Sequence, residues 1–264
     1  MGFKNYLWDE AWELNVSRGK VRGAYHIIKF GENLDVDGSM ETIWDGGGLY
    51  TYLTSAGVLT VTSSDTDDAA SGTGARTVTV EGLDANYNLV SETLTVGGSA
   101  GTIEFYRVFR AFVETSGSSG TNEGTISIAS GATTLAQIGT AGSPIETGLG
   151  QTFMALYTVP AGYTGFIYQF DVSTAKSDGN IFLVKRGHTD NGTWRSQDII
   201  HANVNSIERN YKFPLKIEEK SDIEVRALSL TNNMKCAATF CILLVQNETE
   251  WIESWVKYIL VILI

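Results

Sequence analysis

The side chains best suited to chemistry are thinly spread along this chain. Its three histidines, His26, His188 and His201, fall in different segments, and none has a second histidine or a cysteine at metal-ligand spacing. No HExxH, CxxC or phosphate-loop pattern occurs. Those patterns matter because each places a nucleophile, a base or a metal ligand on a geometry its chemistry requires. Each histidine therefore reads as a surface or half-buried side chain, and a non-enzymatic protein without a cofactor is expected. Oxygen ligands are more plentiful. Asp35, Asp37 and Glu41 surround Gly38, and Asp65, Asp67 and Asp68 form a second cluster. Calcium takes six to eight oxygens, and neither loop has the full spacing of a helix-flanked calcium loop. The alternative for both is turn chemistry, with aspartate accepting from backbone N–H groups. No metal is expected, and Asp35, Asp37 and Glu41 are the calcium candidates.

Aromatic and guanidinium groups offer binding instead of reaction. Phe30 and Trp44 bracket the first acidic loop, and the run Gly46 to Gly48 follows the tryptophan. Glycine tolerates positive φ, so a tight turn behind a pinned aromatic is predicted there. Arg107 and Arg110 interrupt an apolar segment, TIEFYRVFRAFVE. Buried, they need carboxylate partners; at an interface they are natural anchors. Tyr50, Tyr52, Tyr163, Tyr168 and Trp194 have faces that can stack on sugar rings. Trp194, in the polar stretch TDNGTWR, is the glycan-binding candidate because a loop tryptophan has least reason to be core.

Composition narrows the class. The 264 residues suffice for one large or two medium domains. Thr, Ser, Gly, Val and aromatics dominate, which favours strands and turns. A net charge of −11 argues against a nucleic-acid groove, which needs clustered Lys and Arg. Cys236 and Cys241, the only cysteines, lie five positions apart on one predicted strand, so they point to opposite faces and no disulfide is expected. That suits a reducing cytoplasm. The first residues show no apolar signal-peptide core. The closing run after Tyr258 is shorter than the ~20 residues a membrane span needs, so a buried strand at a subunit interface is expected of it.

These groups sit on a predicted all-β framework of two β-sandwich or jelly-roll-like domains preceded by an extended N-terminal arm. The arm spans residues 1–28, with Tyr6, Trp8 and Trp12 as its pegs; a short helix packed on its own domain is the alternative. The first β-domain is expected over 29–145. Its clearest element is the hairpin RTVTVEGL-DANYN-LVSETLTV, where Asp84 to Asn88 has the length and chemistry of a turn. The Gly/Ser/Thr-rich segment 129–150 reads as a linker with the boundary near Pro144. A second domain over 146–248 shows short strands with turns at roughly ten-residue spacing. Residues 249–264 form the apolar tail. No repeat of 20–50 residues is evident.

Three segments carry a family resemblance. KFGENLDVD with ETIWDGGG and TYLTSA (29–55), TVTVEGLDANYNLVSETLTV with YRVFRAF (77–112), and VPAGYTGFI with FPLKIEEKSDIEVRA (159–227) resemble structural proteins of tailed-bacteriophage virions, of the capsid-decoration, head-accessory or fibre type. The resemblance implies a non-enzymatic virion subunit assembled in the host cytoplasm. Its partners would be other virion proteins, the major capsid protein or neck and tail proteins, with no nucleic acid and no membrane. A homo-oligomer is implied, a trimer by preference, with Tyr6, Trp8, Trp12, Phe30, Trp44, Arg107 and Arg110 at interfaces. The alternative is a tail or head fibre that recognises a host-surface glycan through Trp194.

Overall fold

A computed structural model describes residues 11–139, 149–188, 192–202, 204 and 206–247. The chain opens with a short helix, α1 (Trp12–Ser17), then β1 (Ala24–Val36) and β2 (Glu41–Thr42). A middle group follows: β3 (Thr60–Ser63), β4 (Ala75–Leu83), β5 (Leu89–Thr95), β6 (Arg107–Ser116), β7 (Ile126–Ser130) and β8 (Thr133–Ile138). The last group is β9 (Leu156–Thr158), β10 (Tyr163–Thr174), β11 (Gly179–Arg186), β12 (Trp194–His201), β13 (Ser206–Ile217), β14 (Asp222–Ser229) and β15 (Met234–Gln246).

The outer groups together form one sandwich. One sheet runs β1-β15-β10-β13 and the other β12-β11-β14-β2, with β9 also on β14; the pairings are antiparallel. Strands successive in sequence alternate between the sheets, with only β11 and β12 in one hairpin, and the first strand lies beside the last. That is the winding of a jelly roll. The all-β class predicted from composition is what the chain adopts.

The middle group is an insertion into one strand position of this jelly roll. β2 meets Arg226 and Ala227 of β14, while β9 meets residues Asp222 to Glu224 of the same strand. The chain leaves after Trp44 and returns at Met154, which face each other as an antiparallel bridge. Asp45 N–H donates to the Phe153 carbonyl, and Phe153 N–H donates to the Asp45 carboxylate at 2.6 Å. Inside the insertion, sheets β3-β7-β8 and β5-β4-β6 share one continuous apolar core with the jelly roll.

This division corrects two expectations. Residues 29–45, expected to open a first domain over 29–145, belong with the second half because β1 and β2 pair with β15 and β14. The anticipated boundary near Pro144 lies outside the described residues, as does the tail. The expected linker contains β8, hidden by its threonines, which closes a hairpin through Gly131 at φ 56°. Nor is the stretch before β1 an extended arm where described. α1 buries Val16, and with Trp12 it borders His26, Phe166, Tyr168 and Leu243 on the outer face of the first sheet. Tyr6 and Trp8 lie outside the described residues. The hairpin β4–β5 is as predicted: Asp84 accepts from the N–H groups of Asn86 and Asn88, at 2.8 and 2.9 Å. Cys236 and Cys241 are free and buried on β15.

Candidate functional site

The densest cluster of charge lies at the seam between the insertion and the jelly roll. Arg107 opens β6 and Asp222 opens β14. The arginine donates to the Asp222 carboxylate through Nε at 2.8 Å and Nη2 at 3.2 Å, and through Nη1 to the carbonyls of Tyr106 and Leu53. Arg186 and the Thr158 hydroxyl donate to the same carboxylate, at 2.5 and 2.7 Å. Burial would lower the Arg107 pKa, but hydrogen bonding to Asp222 and its negative charge outweigh that and raise it. Its guanidinium lies over Tyr106 and Tyr52, at 4.1 and 4.8 Å. Beyond it, Trp194 meets the guanidiniums of Arg186 and Arg226, at 4.8 and 4.1 Å. Arg226 pairs with the fully buried Glu224, which also accepts from Thr42.

Two anticipated binding residues, Arg107 and Trp44, are thus buried, and a third, Trp194, is half-buried. Arg107 is buried because Asp222 supplies the carboxylate that burial requires. Trp194 starts a strand and is stacked on arginines, so it is not a free loop side chain. Trp44 is 5% exposed: its ring stands against Gly46, where a Cβ would come within 2.3 Å of it, and its Nε1 donates to the Gly47 carbonyl at 2.9 Å. Gly47 and Gly48 take φ of 66° and 62°, the tight turn predicted from the triple glycine. Arg110 is exposed, pairs with Glu81 at 3.3 Å and lies over Phe112.

The acidic loops are organised by their own backbone. Glu41 accepts from Asn33 Nδ2 and from the N–H groups of Asp37 and Gly48; Asp37 accepts from Asn233 N–H. Asp35 donates its N–H to the Asn33 side chain. Asp68 accepts from the Ser63 hydroxyl and the N–H groups of Ala75, Glu123 and Gly124. Among the described residues no three His, Cys, Asp or Glu side chains converge on a metal position. The histidines stay apart as well: His26 meets Tyr168, His188 packs edge-on to Tyr87, and His201 meets Asn180.

One group of exposed apolar side chains lies on α1, β1 and the β4–β5 hairpin. Trp12 and Leu14 on α1, Tyr25, Ile28 and Phe30 on β1, and Leu89 on the β4–β5 hairpin are all exposed. Ile28 and Phe30 share with His26 the face that α1 borders, by the two-residue alternation of a strand. Among the described residues β1 is an outer strand of its sheet, a position that presents backbone groups for pairing. Beside it a cavity of about 680 Å³ separates β1 from the hairpin. Lys29 lies buried at its edge, donating to the Phe109 carbonyl, with the Phe109 ring 5.8 Å away. Burial, with the nearby Arg110 charge, pushes its pKa down to about 7 against the opposing pull of Glu81.

No family model matches this chain. No curated protein matches it either. Two of the solved structures that match superpose on it in part. The structure of infectious bursal disease virus Gx strain shares 10% identity over 86% of this chain and 71% of that one, with a TM-score of 0.25. The crystal structure of the infectious bursal disease virus VP2 subviral particle shares 10% identity over 85% and 72%, with a TM-score of 0.21. TM-scores this low say nothing about role, and the jelly roll rests on strand order alone.

Of the anticipated residues, the structure leaves Trp12 and Phe30 together on one exposed side and Arg110 exposed beyond them. Sequence reasoning missed Tyr25, Ile28 and Leu89 as surface residues, since apolar strand residues default to core. The parity of Lys29, Gly31 and Asn33, all buried, was the available signal. Gly31 fixes it, for a Cβ there would lie 2.3 Å from the Ala155 nitrogen and 2.4 Å from the Ile43 oxygen.

Proposed function

We propose that this protein is a non-enzymatic structural component of a virus particle that works through protein–protein contact. The observation that carries the proposal is the exposed apolar surface of α1 and β1. Trp12 and Leu14 on α1 lie beside Ile28 and Phe30 on β1, an outer strand of the jelly roll among the described residues, and aromatic residues at such an edge suit a partner that covers them. Jelly rolls build viral capsids and lectins alike, so the fold permits the role without assigning it. The resemblance of residues 29–55, 77–112 and 159–227 to tailed-phage virion proteins supports the finer reading. In that reading the subunit decorates or cements a capsid, contacts other virion proteins and self-associates, with a trimer favoured.

The test is composition of purified particles. Mass spectrometry and immunogold labelling should find the chain at fixed stoichiometry on the particle surface, and Ile28→Asp should reduce its incorporation at least tenfold while its unfolding temperature holds. Particles that lack the chain, or that take up the variant as fully as the parent, would overturn the proposal.

A further inference from the structure

The cavity of about 680 Å³ beside β1 has the shape of a slot for one extended chain. Every residue of β1 from Tyr25 to Phe30 lines it. Successive residues of a strand point to opposite faces, so the cavity follows the edge of β1 and not one of its faces. Leu89, Val90 and Ser91, successive residues at the start of β5, line the opposite wall in the same way. Among the described residues β1 and β5 are each outer strands of their sheets. The slot therefore lies between two strand edges, a gap that takes one added strand more readily than a second sheet.

β1 is also the edge of its sheet that is fit for pairing. Its register with β15 runs unbroken from Ala24 to Asn33, and it holds no proline. β13, the outer strand on the other side, carries Pro214 and breaks register with β10 around Tyr168. Both devices keep an edge from pairing. A strand laid beside β1 would meet apolar groups on both of its own faces. Ile28 and Phe30 stand on the outer side, Ile27 and the Phe109 ring beside Lys29 on the inner. Such a strand must be apolar at successive positions, not at alternate ones.

The segment 251–264 has that pattern in Tyr258 to Ile264, YILVILI. Extended at about 3.3 Å per residue, it matches the length of β1, 13 residues. We infer that the edge of β1 receives residues 251–264 of a second copy as an added strand. The chain's own segment leaves from the wrong side. β15 lies between β1 and β10, and Asn247 N–H donates to the Gly162 carbonyl on the β10 side. Gln246 N–H donates to the Gly23 carbonyl at the entry of β1. To reach the slot in its own copy the chain would have to cross that entry, and connections at one end of a sheet avoid crossing. The inference rests on the self-association proposed above and names the segment that carries it.

Photo-cross-linking of the full chain tests it. Benzoylphenylalanine is introduced at Leu89, which is 60% exposed on the wall of the slot, and isotopically light and heavy chains are mixed in equal amounts. Irradiation should link position 89 to residues 251–264, with mixed light–heavy pairs as frequent as same-isotope pairs. Val261→Asp should lower this cross-linking and weaken self-association, each about tenfold or more, since it places a charge in an apolar slot. Links confined to one isotope would put the segment in its own copy and overturn the inference. So would links to other residues, an absence of links, or full cross-linking in Val261→Asp. A chain that sediments as a monomer overturns the self-association reading as well, whereas an associating chain linked elsewhere overturns this inference alone.

Discussion

Lys29 shows how one side chain can work against its own fold. Its amine is buried on an outer strand, where it donates to the Phe109 carbonyl. Its pKa of about 7 lies below the ordinary 10.5, so the unfolded chain holds one more proton than the folded chain between those values. Stability should therefore rise with pH across that window, by about 1.4 kcal/mol per unit from this group, and the full penalty should persist below about pH 7. Lys29→Met should raise stability near pH 7 and flatten the slope, measured by urea unfolding from neutral to alkaline pH. An unchanged slope would mean the amine is solvated. Gly31 is constrained in the opposite sense. The Cβ of Gly31→Ala would strike two backbone atoms, so a loss of about 3 kcal/mol or more is expected in the same assay.

At the scale of elements, the seam is held by pairs that join the ends of strands distant in sequence. Arg107 and Asp222 stand 115 positions apart, and nothing local in either segment announces the other. Asp222→Asn should cost about 3–5 kcal/mol because it leaves Arg107, buried, and Arg186 without their counter-charge, and adding Arg107→Met to Asp222→Leu should recover part of the Asp222→Leu loss, Arg186 staying unpaired. A double-mutant cycle by thermal unfolding checks both; additive losses would contradict the pairing. The same contrast explains what the sequence made legible. The β4–β5 hairpin was readable because its turn residues and alternation are local. The Trp44 turn was readable because three glycines demand it. β8 was not, since threonines and glycines read equally well as linker. The outward faces of Ile28 and Phe30 were not, because hydrophobicity alone puts them inside and only the close packing at Gly31 sets the register. Trp194 was expected as a free loop side chain, and Arg107 either at an interface or buried against a carboxylate; their partners were not legible, since the arginines and the carboxylate they meet come from other strands.

For the whole molecule, the all-β class was legible and the connectivity was not. A jelly roll interrupted inside one strand leaves only β2, two residues long, and β9, three residues long, as traces on either side of the insertion. No composition change marks that interruption, because the insertion is itself made of strands and shares the same core. The outcome is a molecule whose ionic seam faces inward and whose apolar rim at α1 and β1 faces out. Sedimentation velocity of the parent chain and of Ile28→Asp over a range of concentrations addresses that rim most directly. A self-associating parent and a monomeric variant of equal thermal stability are the predicted result; a parent that stays monomeric throughout, or a variant that associates as the parent does, would contradict it.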